Sequence, residues 1–184
     1  TLPHHRLTHN VVRVGEAMAE VFRSQGLQVI HDTNLYDYPA YTLDDRSKAA
    51  VRDWLAKYPT IRIILDVHRD ALGRDGSIYK LVTQENGKKT AQVMLVVGTD
   101  GGGAQHPYWI DNLALAVRFQ QELVSDYVSL ARPIVLRNSS YTSSYRPATC
   151  WWGGGHGNTL TEAVDGARLF AQSVSQVLNT MWVK

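Results

Sequence analysis

The chain is 184 residues long, 44% hydrophobic and 20% charged, with a formal net charge of +2. This suits one globular domain with a real core; the small charge gives no support to a nucleic-acid partner and is compatible with an anionic polymer as substrate. The single cysteine, Cys150, excludes an internal disulfide, and no apolar segment is long enough to cross a bilayer, so any membrane anchor is expected outside this chain.

Residues 1–9 read as irregular and hold three of the seven histidines, His4, His5 and His9. Such a cluster can supply metal ligands or be a polar N-terminal segment. Asn10 suits a helix N-cap. Val11, Val14, Met18, Val21 and Phe22 follow at helical spacing, and Gly26 stands where a helix usually ends. Leu27, Val29 and Ile30 read as a strand with His31 and Asp32 at its tip. The tyrosine-rich stretch DTNLYDYPAY then reads as a loop, which either lines a groove or packs onto the domain. Asp44 or Asp45 can cap a second helix with the stripe Ala49, Val51, Trp54, Leu55 and Tyr58, stopped by Pro59.

Residues 61–70, IRIILDVHRD, carry the strongest signal. Ile61, Ile63, Ile64, Leu65 and Val67 form a short β-branched run that reads as a strand buried on both faces. Asp66, His68, Arg69 and Asp70 gather at its carboxyl end, where open α/β sheets take ligands. An imidazole there, with carboxylates two residues either side, suits a metal ligand and its supporting groups, or a histidine that merely bonds a loop. Strand, helix and strand in this order predict a right-handed crossover and parallel pairing.

Residues 78–83 and 90–97 read as strands joined through Asn86–Gly87, a strong hairpin signal. GTDGGG lacks the spacing of a phosphate or dinucleotide loop and reads as a loop only. Residues 109–130 predict an amphipathic helix with Ile110, Leu113, Val117, Leu123, Val124 and Leu130 inward, broken by Pro133. Residues 134–136 predict a strand and residues 149–152 a last one. GGGHG then leads into a helix over about residues 161–181, with Ala163, Ala167, Phe170, Val174 and Leu178 inward. The fold expected is α/β: a single-domain open, mostly parallel twisted sheet flanked by helices, with a β-hairpin insertion.

Several blocks occur in one order across nearly the whole chain: RVGEAMAEVFRSQGLQVIHDTNLYD, PAY, RSKAAVRDWLAKYP, ILDVHRDA, VMLVVGTD, HPYWIDNLALA, ARPIVLR and GNTLTEA. This ordered set resembles the stage II sporulation protein P family. The resemblance implies a zinc-dependent N-acetylmuramoyl-L-alanine amidase that cuts peptidoglycan, with endopeptidase action on cross-links. It also implies an extracytoplasmic catalytic domain held by a membrane tether. Work with stage II sporulation proteins D and M in engulfment during endospore formation is implied as well. Residues 1–184 would then be one amidase-like catalytic domain, without the membrane anchor and the family's first strand. Zinc suits this chemistry because it lowers the pKa of bound water and polarises an unreactive amide. By block, His68 carries over as a zinc ligand, with Asp66 orienting it or neighbouring groups. Arg69 and Asp70 fall at the substrate rim, and Asn158 holds the glycine loop or the bound peptide.

Two departures stand against the match. The family's His-Thr-His-x-x-Glu stretch, which supplies further ligands, is not found after Thr1; His9 is assigned to the metal by proximity alone. The family's acid/base glutamate falls at Trp152, whose indole cannot accept a proton. Glu162 is the nearest carboxylate in sequence, but the first turn of a helix is where an acidic residue suits the helix dipole. His156 is a further candidate base or ligand in its glycine loop. The Tyr-Asn-Gln of the family is Tyr141-Thr142-Ser143 here. The chain therefore reads as a peptidoglycan amidase or as a degenerate member that binds the wall as an adaptor, with Trp151 and Trp152 available to stack on sugars. An unrelated small-molecule hydrolase rests on the generic fold alone.

Overall fold

The computed structural model describes residues 10–34, 36, 43–70, 73–101, 103, 106–138 and 149–182. Among these are four helices and eight short strands, in the order of two helices, six strands, a helix, two strands and a last helix. Helix α1 spans Val11–Ser24. The Asn10 side chain accepts from the Val12 amide at 3.0 Å, satisfying one of the donors a helix start leaves open. At the other end the Gly26 amide donates to Arg23 O and the Leu27 amide to Phe22 O, both at 3.0 Å, with Gly26 at a φ of 84°. This is the Schellman closure the sequence suggests.

Residues 27–34 form no strand. Leu27 and Val29 still pack against the core while Ile30 is exposed. The alternating pattern thus reports one-sided burial of an extended segment, without the ladder that defines a strand. Helix α2, Leu43–Lys57, begins before Asp44 and Asp45, so both lie within its first turn. Val51, Trp54 and Leu55 are half-buried, whereas Ala49 is exposed.

Among the described residues the strands form three sheets, not one. The largest has the order β1-β8-β6-β7, from β1 (Ile64–Asp70), β6 (Leu95–Gly98), β7 (Val135–Arg137) and β8 (Thr149–Gly155). β1 runs parallel to β8, and β6 parallel to β7, but β6 and β8 are antiparallel. The strand buried on both faces is β6, whose four residues are all buried. β1 is instead half-buried and lies at the edge of the described ladder. Its Leu65 and Val67 turn to the core, so one face is covered and the other carries Asp66 and His68.

Two small hairpins complete the strands. β4 (Val82–Glu85) pairs with β5 (Lys88–Ala91), Glu85 opposite Lys88. Asn86 and Gly87 both have positive φ, the signature of a type I′ turn. β2 (Gly73–Arg74) and β3 (Ser77–Ile78) repeat the device around Asp75–Gly76. Sequence reading missed this pair although Asp-Gly is the same turn signal.

Helix α3, Trp109–Asp126, ends four residues short of the expected Leu130, well before Pro133. Its buried face is Asn112, Leu115, Ala116, Phe119 and Leu123, whereas Ile110, Val117 and Val124 are exposed. Helix α4, Leu160–Trp182, buries Ala167, Phe170, Val174 and Leu178 as expected and packs on α1 and α3. Phe119 and Phe170 meet edge to face, centroids 6.5 Å apart. With Val14, Met18, Phe22, Leu95 and Val97 they form the centre of the core.

Candidate functional site

β1 and β8 run parallel and finish together, which sets the site. In their register His68 lies opposite Gly153, Arg69 opposite Gly154 and Asp70 opposite Gly155. Residues two apart on a strand share a face, so Asp66 can reach His68: its Oδ1 lies 2.9 Å from His68 Nε2, with both side chains partly exposed. The ring is thereby held by a carboxylate through one nitrogen, the support that metal-bound histidines commonly have. Arg69 is exposed beyond it.

The second half of the site follows β8. Asn158 is a hub. Its Oδ1 accepts from the Gly155 amide at 3.1 Å, and its Nδ2 donates to Leu81 O at 2.9 Å and to Glu162 Oε2 at 3.3 Å. Thr159 and Glu162 form a reciprocal capping box on α4. The Thr159 amide donates to Glu162 Oε2 at 2.9 Å, and the Glu162 amide donates to Thr159 Oγ1 at 3.2 Å. Lys80 Nζ lies 2.7 Å from the other carboxylate oxygen. Glu162 is 7% exposed. Burial pushes its carboxyl up, but Lys80, the Thr159 amide and Asn158 together outweigh burial and hold it below the usual carboxylate range. A carboxylate so engaged is a weak base. Its contacts describe a structural role in the first turn of α4.

Residues 78–81 lie directly over this junction. A methyl group at Gly157 would come within 2.7 Å of Tyr79 O and 2.9 Å of Ile78 Cγ2. Only a glycine lets the two backbones approach so closely. Neither Lys80 nor Leu81 carries a sequence signal that links it to residues 158–162. The T-x-x-E spacing of Thr159 and Glu162, however, is a legible cap signature.

A second histidine–carboxylate pair stands on α1. His31 Nδ1 lies 2.6 Å from Glu16 Oε2. The hydrogen bond to His31 leads the effects that hold the Glu16 carboxyl below its usual range, against a smaller rise from burial. Beside it Asp32 collects the Trp54 indole N–H at 2.7 Å, the Tyr36 hydroxyl at 2.5 Å and the Asn34 amide at 2.9 Å. Burial and Asp32 push the Tyr36 phenol up to about 12. This portion of the tyrosine-rich loop is thus tied to α2 by hydrogen bonds.

Trp152 occupies the register of Val67 on β8, one step out of phase with His68. His156 is half-buried in the turn that follows β8. His4, His5, His9 and Tyr141-Thr142-Ser143 lie outside the described residues. Among the described residues no group of three or more His, Cys, Asp or Glu side chains is placed to hold a metal ion. The assignment of His9 to the metal beside His68 falls outside them. Among the same residues no helix is long and apolar enough to cross a membrane.

Comparison with known proteins gives one match. The family model described as stage II sporulation protein P covers residues 2–175 of the 184. No curated protein and no solved structure matches the chain. The match spans both the β1 block with His68 and the Asn158–Glu162 block that folds beside the end of β8. The chain belongs to the stage II sporulation protein P family, which gives it a role in the engulfment stage of sporulation, at the cell envelope.

Proposed function

We propose that this chain is a peptidoglycan hydrolase acting as a zinc-dependent N-acetylmuramoyl-L-alanine amidase, with endopeptidase action on cross-links. The observation that carries the reading is the family match over residues 2–175, which includes His68 held by Asp66 at the carboxyl end of β1. Zn2+ enters as the cofactor the family implies, with His68 as a ligand and Asp66 fixing its ring. Arg69 and Asp70 form the rim toward the polymer. The domain works outside the cytoplasm on a membrane tether, together with stage II sporulation proteins D and M. The test is the metal content of the full-length protein together with release of stem peptides from purified sacculi. Bound zinc and zinc-dependent release are expected; no hydrolysis with zinc present overturns the reading.

A second reading is favoured by one observation: Glu162, the carboxylate nearest in sequence to Trp152, is committed to a cap and an ion pair. On this reading the chain is a degenerate member that binds peptidoglycan as an adaptor. Sacculus binding without hydrolysis separates it from the first.

A further inference from the structure

Ile78, Tyr79 and Val82 are 62%, 48% and 40% exposed. A single exposed apolar residue needs no account. Three within five residues, on backbone pinned to its neighbours, do. Leu81 O is held by Asn158, Lys80 by Glu162, and the Tyr79 carbonyl rests against Gly157. A buried carboxylate and an asparagine hub are thus devoted to fixing a segment that shows apolar side chains to solvent. The segment also has a definite position. Gly155, which a Cβ would bring to 3.6 Å from Tyr79 O, pairs with Asp70, two register steps past His68 and Gly153. That is the carboxyl end of β1 and β8, where open α/β sheets take their ligands.

We infer that Ile78 and Tyr79 form a substrate-contacting lip for a peptidoglycan strand, with Lys80, Asn158 and Glu162 as the positioning residues that hold it. The Tyr79 ring stacks on a pyranose face, and Ile78 covers the alkyl part of the lactyl–peptide junction. This rests on the peptidoglycan reading above, and it explains the Asn158–Glu162 block as a brace for the segment that meets the polymer.

The experiment is equilibrium co-sedimentation of the full-length protein with purified sacculi, run beside the hydrolysis assay. Ile78→Ser and Tyr79→Ala are expected to bind about tenfold more weakly, the size of one stacked ring's contribution, with unchanged melting temperatures because both side chains are exposed. Met181→Ser, at a residue 40% exposed in the last turn of α4, far along that helix from Glu162, is expected to bind as wild type. Lys80→Met weakens binding and Lys80→Arg restores it. Wild-type affinity in both Ile78→Ser and Tyr79→Ala overturns the lip. So does equal loss in Met181→Ser, which marks general hydrophobic capture, and so does a wild-type protein that does not bind sacculi. Tyr79-dependent binding without hydrolysis removes the hydrolase reading and supports the lip.

Discussion

Lys80 Nζ lies 2.7 Å from Glu162 Oε1 and joins the segment after β3 to the first turn of α4. Glu162→Ala removes this pair, half of the capping box and one bond to Asn158. A destabilisation of about 2 kcal/mol is expected at neutral pH, since a lost cap costs about 1 kcal/mol and the half-exposed lysine limits the ionic part. The folded-state pKa of Glu162 lies below its ordinary 4.5. Its contribution is therefore complete above that value and is lost as the pH falls through the lower, folded value. Glu16 and Asp32 are shifted the same way. Urea denaturation from neutral pH down through this window should show a shallower acid loss in Glu162→Gln than in wild type.

Gly157→Ala places a methyl group 2.7 Å from a backbone oxygen, Tyr79 O. Backbone cannot swing away as a side chain can, so a cost of about 1–3 kcal/mol is expected. Gly155→Ala meets Asn158 Oδ1 at 3.1 Å, a side-chain contact that a small shift relieves. Thermal melts of the two variants should rank Gly157→Ala as the less stable. The reverse order would show that residues 78–79 give way easily.

Asp66 holds the His68 ring at 2.9 Å. Under the zinc reading, Asp66→Ala should weaken zinc affinity by about 10–100-fold, the usual effect of removing the group that orients a ligand. Asp66→Asn, which keeps a hydrogen-bonding oxygen, should lose less. Titration against a competing chelator checks both, and equal affinity in all three proteins would show that Asp66 supports no metal ligand.

Trp54→Phe removes the indole N–H that Asp32 accepts at 2.7 Å. It leaves an aromatic ring to stack on Tyr58, whose centroid is 5.8 Å away. Asp32 keeps Tyr36 and Asn34 as donors, so a cost of about 1 kcal/mol is expected by denaturant titration. Sacculus binding should not change, because this hydrogen bond ties the loop to α2 and not to the end of β1.

The parts of the fold that the sequence discloses are those decided by local chemistry. Asn10 and Gly26 close α1 because each residue type does at a helix end what its side chain, or lack of one, permits. Asn86–Gly87 turns a hairpin for the same reason. The face of α3 is another matter. Its sequence holds two apolar stripes, and only packing against α4 and β6 decides that Phe119 and Leu123 go in while Val117 and Val124 stay out. His68 and Asp66 are legible as a pair because a strand puts them on one face. The bonds from Asn158 to Leu81 and from Lys80 to Glu162 join residues far apart in the chain, so no local pattern encodes them.

β6 has all four residues buried and a neighbour on each side, whereas β1 is half-buried and stands at the margin of the described ladder. Amide protons on β6 should therefore outlast those on β1 by a wide margin in deuterium exchange. The rim that carries His68 then belongs to the part of the molecule that opens first, while its inner half stays closed and keeps the chain folded as the rim adjusts to a large polymer.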